Sequence, residues 1–94
     1  MALRKPTERM VRDRRYAKYE LERNFRYITG ISRDNFDIMK CGDEVAIEVY
    51  IENGVSLSRS DFEAIDEWGF EFISVFHTRS GAKALFSSEE ISMI

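Results

Sequence analysis

At Gly30 the hydrophobic period of this chain changes from about 3.6 residues to two. That switch restricts the fold more than any other feature, because a half-buried helix and a half-buried strand demand different spacings of apolar side chains. Upstream, Met10, Ala17, Leu21, Phe25 and Ile28 fall in one stripe when residues are placed at about 100° steps. The spacing predicts an amphipathic helix from Pro6 or Thr7 to Tyr27. Thr7 can cap it, Pro6 sits where a missing N–H does no harm, and Gly30 is the stop. Arg14 falls inside the apolar stripe, so burial is expected to begin near Ala17, with the first two turns projecting or held by another molecule. The stem of Arg14 could also lie along apolar surface.

Downstream the alternation predicts two strands, Phe36 to Cys41 and Glu44 to Ile51, joined by a tight Gly42–Asp43 turn. In the second, Val45, Ile47, Val49 and Ile51 share one face. Glu52 to Ser60 reads as a serine-rich loop. Ser60, Asp61, Phe62 and Glu63 form a capping-box pattern that opens a helix of about two turns ending at Gly69, with Phe62, Ile65 and Trp68 inward. A second hairpin follows, Phe70 to His77 and Ala82 to Ser87. Its first strand is apolar on both faces, which places it centrally in the sheet, with the short helix over one face and the N-terminal helix or a second subunit over the other. Ser88 to Ile94 carries no strong signal.

The expected fold is therefore α+β: an N-terminal amphipathic helix followed by a ββαββ body with a four-stranded, mainly antiparallel sheet. Residues 1–29 form the basic helix and 30–94 the acidic body of one compact domain. At 94 residues such a domain leaves much apolar surface uncovered, so a homodimer is expected. Cys41 is the lone cysteine, which excludes an internal disulfide and fits a reducing compartment, the cytoplasm. Met1 to Thr7 has no apolar run behind its basic residues, and no stretch approaches the ~18 apolar residues of a spanning helix. A soluble, unprocessed chain with no membrane partner is the expectation.

Charge divides along the same boundary. Nine of the fourteen basic residues fall within positions 1–26 against four acids, giving that segment +5 and the remainder −8, together −3. The side of the helix away from the apolar stripe carries Arg12, Arg15, Lys18, Tyr19, Arg23 and Arg26, with Arg9, Tyr16 and Tyr27 interleaved. Basic groups neutralise phosphates while aromatic faces stack on exposed bases, so these residues are the candidate nucleic-acid-binding set, with DNA and RNA undecided. A solvated helix laced with ion pairs is the plainer alternative. Glu8–Arg12 and Glu22–Arg26 have the favourable i,i+4 order and Lys18–Glu22 the reverse, each worth ~0.2–0.5 kcal/mol.

Two further readings compete. Leu21, Phe25 and Ile28 could pack on a partner subunit or larger assembly, making the chain an interaction module. The carboxylates of Asp61, Glu63, Asp66 and Glu67 could instead engage a basic protein partner, as an acidic decoy or inhibitor of a nucleic-acid-binding protein. No enzyme is expected. His77 and Cys41 are single, so no zinc site of histidine and cysteine ligands can form within one chain. No glycine-rich phosphate loop is present, and the five glycines lie at turn and cap spacings. No cofactor or metal is implied. A Cys41–His77 nucleophile pair is the one catalytic arrangement the residue types allow.

Overall fold

The computed structural model describes residues 15–51, 55–79 and 81–94. The first described element is a short strand, β1 (Arg15–Tyr16), and the first described helix, α1, spans Lys18–Thr29. Of the helix expected from Pro6 or Thr7 to Tyr27, the described part is helical only from Lys18, and the stretch before Arg15 lies outside the described residues. Local chemistry explains the later start. The Ala17 N–H donates to Glu20 Oε1 at 2.9 Å, half of a capping box that ends the extended segment at Ala17. Tyr16 is buried, and its carbonyl accepts the Ile94 N–H at 2.8 Å. Gly30 closes α1 at φ 77°, its N–H bonded to the Arg26 carbonyl at 2.7 Å. Nothing crowds a Cβ there, so Gly30→Ala isolates the backbone term. A loss of about 1 kcal/mol is expected, read as a lower urea midpoint with unchanged slope.

A single 3-10 turn, Arg33–Asn35, leads into β2 (Phe36–Cys41) and β3 (Glu44–Tyr50), an antiparallel hairpin in which Cys41 faces Glu44 across the turn. The second helix, α2, spans Arg59–Trp68, followed by β4 (Glu71–Thr78), β5 (Gly81–Ser88) and β6 (Ser92–Met93). Its capping box sits two residues earlier than the sequence pattern suggested. Ser58, not Ser60, is the cap: its Oγ accepts the Asp61 N–H at 3.2 Å, and its own N–H donates to Asp61 Oδ2 at 2.9 Å.

The sheet has the order β2-β3-β5-β4, antiparallel throughout. This corrects the expectation that the strand after α2 is central. β3 and β4 run in the same direction and are connected through α2, and β5 returns between them, which leaves β4 at the edge. Two apolar faces mark a strand that needs cover, but they do not say whether that cover lies within one chain. Both helices also lie on one face rather than one on each. Phe25 of α1 meets Phe36 with ring centroids 4.6 Å apart, and Phe62 of α2 meets Phe86 at 5.8 Å and Phe72 at 5.4 Å. By register Phe36, Ile47 and Phe86 share this side.

The core lies between the helices and that face. Leu21, Phe25, Ile38, Ile47, Val49, Ile65 and Trp68 are fully buried, each contributing roughly 1.5–3 kcal/mol. The tail also belongs to it. Ile91 is fully buried, and β6 pairs parallel with β1. An isolated isoleucine followed by a two-residue strand leaves no periodic trace in the sequence.

The opposite face is mixed. Lys83 reaches Glu48 at 3.5 Å and lies over the Tyr50 ring at 5.6 Å. Burial, then the carboxylates of Asp37 and Glu48, push the Tyr50 phenol above the ordinary tyrosine value of 10.0, against smaller opposing effects of Lys83 and Arg33. Because the folded value is the higher one, this stabilisation is present below about pH 10 and is lost as pH rises through the folded pKa. Urea unfolding measured at increasing alkaline pH should therefore fall less steeply in Tyr50→Phe than in the parent chain.

Candidate nucleic-acid interface

An amphipathic helix laid on a sheet must turn its other side to solvent, and here that side is basic and aromatic. Positions 19, 23, 26 and 27 are three or four residues apart, so their side chains adjoin along one ridge of α1, opposite Leu21 and Phe25. Tyr19 is 64% exposed and Tyr27 84%, and Arg23 and Arg26 are exposed between them. The Arg23 guanidinium lies over the Tyr19 ring, 5.9 Å from its centroid. Arg15 is exposed two residues before the helix cap. Exposed tyrosines of this kind present a flat apolar ring toward solvent.

The acids of α1 are engaged elsewhere. Glu20 holds the Ala17 N–H, and Glu22 Oε2 pairs with Arg33 Nη2 at 3.0 Å. Arg33 in turn donates to the Phe36 carbonyl at 3.2 Å and covers the Phe36 ring at 5.7 Å, so this pair ties α1 to the start of β2. Lys18 pairs with Asp37 on β2 at 3.6 Å rather than along the helix. The ladder of i,i+4 pairs that would blunt the field of the helix is thus replaced, for Glu22 and Lys18, by contacts to the body.

Of the sequence candidates, Tyr19, Arg23 and Arg26 stand on the open side of α1, and Arg15 is exposed on β1 before it. Lys18 is drawn to the sheet side, and Arg12 lies outside the described residues. Tyr27 completes the ridge; its i,i+4 relation to Arg23 was the signal for it. Leu21 and Phe25 are fully buried in the chain's own core, and Ile28 is part-buried against it. On α2, Asp61 is taken by the helix cap, leaving Glu63, Asp66 and Glu67 exposed.

Cys41 and His77 are not brought together. They lie on β2 and β4, the two edges of the sheet, so three inter-strand spacings of about 4.8 Å separate them. Among the described residues no group of three histidine, cysteine, aspartate or glutamate side chains could hold a metal ion, and no helix is long and apolar enough to cross a membrane. Comparison with known proteins matches this chain to no family model, no curated protein and no solved structure.

Proposed function

We propose that this chain is a small non-enzymatic binding protein that holds a nucleic-acid strand along the outer ridge of α1. One observation carries the reading: Arg23 and Arg26 stand exposed beside Tyr19 and Tyr27, with Arg15 exposed just before the helix, while both acids of the helix are engaged elsewhere. Guanidinium groups pair with phosphates, and tyrosine rings spaced along one ridge stack on unpaired bases, which favours a single strand over a duplex. The acidic body repels phosphate and confines the strand to the helix, as Glu63, Asp66 and Glu67 do on α2.

Fluorescence anisotropy of labelled single- and double-stranded oligonucleotides at stepped salt tests the reading. With three arginines on phosphates of a single strand, log K against log salt is expected to slope at about −2, from ~0.7 per contact. Absence of binding at low salt, or an affinity indifferent to salt, would reject it.

A further inference from the structure

Tyr19 and Tyr27 are eight positions apart on α1. At about 1.5 Å of rise and about 100° of turn per residue, their Cα atoms stand about 12 Å apart along the helix axis and about 80° apart around it. Arg23 and Arg26 lie between them, and no third ring does. The ridge therefore carries two separate stacking platforms with cations between, not one continuous aromatic surface.

That spacing restricts which strands can use both rings. In a stacked strand successive bases lie about 3.4 Å apart and cover one another's faces. Only the end bases of such a stack keep a free face. A short stack could still bridge the two tyrosines if their facing sides were open, but Arg23, rooted one turn beyond Tyr19, lies over the Tyr19 ring at 5.9 Å from its centroid. A strand that meets both platforms must open its stack and set two bases apart along the ridge, with its phosphates near Arg23 and Arg26.

We infer that the ligand of this ridge is a flexible, weakly stacked strand, and that pyrimidine runs are bound in preference to adenine runs; the inference rests on the proposed function above. Every base has a π face and gains by stacking on a tyrosine, so the platforms themselves discriminate little. The difference lies in the free strand, whose own stacking must first be broken and is stronger between adenines than between pyrimidines. The argument uses no base-edge hydrogen bond and no contact to the 2′-hydroxyl, so the preference is the same in DNA and RNA.

Fluorescence anisotropy of the full chain with labelled oligo(dT), oligo(dA), oligo(U) and oligo(A) of equal length, at one low salt concentration, tests this. The pyrimidine strands are expected to bind about fivefold tighter than the adenine strands. Tyr27→Ala leaves one platform, which a strand can meet with the end of an intact stack, so the two classes should come within about twofold of each other. Arg26→Gln removes a phosphate contact and should weaken both classes alike, keeping their ratio. Both side chains are exposed, and circular dichroism checks that the variants are folded. Equal affinity for the two classes, tighter binding of adenine strands, a preference that persists in Tyr27→Ala, or a ratio that moves with Arg26→Gln would overturn the inference while leaving the ridge as the binding surface. Absence of binding by all four strands would reject the ridge as a nucleic-acid site and the inference with it.

Discussion

Reversing the charge of Arg23 and Arg26 together, Arg23→Glu with Arg26→Glu, is expected to weaken binding of a labelled single strand by at least about tenfold at low salt and to flatten the salt dependence. Both side chains are exposed on the ridge of α1, so the folded chain should lose little. Surface changes of this kind typically stay within ~0.5 kcal/mol, apart from the contact of Arg23 with Tyr19, worth roughly 0.5–1 kcal/mol. The loss in binding arises twice, from phosphate contacts removed and from carboxylates that repel the backbone. Tyr19→Ala and Tyr27→Ala should behave differently. Each removes a stacking surface worth ~1–3 kcal/mol per base while leaving the salt slope unchanged. Anisotropy at several salt concentrations separates the two classes, and equal salt slopes in the parent and the double arginine variant would argue against phosphate contact at these positions.

Phe25→Ala should produce the largest loss of stability of any change in α1. The ring is fully buried against Phe36 at 4.6 Å, and its removal leaves a cavity between the helix and β2. Phenylalanine truncations of this type cost ~3–5 kcal/mol, a large share of the ~5–14 kcal/mol that a domain of this length commands. Urea unfolding followed by far-UV circular dichroism reads this directly. The same experiment distinguishes the chain's own core from a partner surface. If Phe25 packed mainly on a second subunit, its loss would appear as a change in the concentration dependence of unfolding. A concentration-independent drop in midpoint is the expected result, because Phe25, Leu21 and Phe36 belong to one buried cluster within the chain.

Much of the fold was legible where one period ran long enough to be read. Val45, Ile47 and Val49 alternate without interruption and are buried on one side as their spacing requires. Leu21 and Phe25 keep helical spacing, and Gly30 and Gly69 both end helices in left-handed geometry. What escaped were features that the spacing of apolar residues does not decide. Glu20 reaching the Ala17 N–H outweighs the continuous stripe and starts the helix at Lys18. Ser58 and Ser60 fit the cap pattern equally well, and only the reciprocal bonds with Asp61 distinguish them. The edge position of β4 follows from β5 returning into the slot beside β3, which alternation within β4 does not encode.

The candidate interface was legible as a composition of arginine and tyrosine but not as a field. Lys18 and Glu22 could have paired with each other along the helix, whereas the sheet supplies Asp37 to one and the turn before β2 supplies Arg33 to the other. Those two long-range pairs leave the ridge basic, and they form only once α1 has docked.

The most direct test of that ridge is a titration of isotopically labelled protein with an unlabelled single-stranded oligonucleotide, followed by amide and side-chain chemical shifts. Shifts that concentrate at Tyr19, Arg23, Arg26 and Tyr27, and spare α2 and β4, are the predicted result. Shifts confined to the sheet or to α2, or none at concentrations where anisotropy detects binding, would contradict the assignment of α1 as the surface that holds the strand.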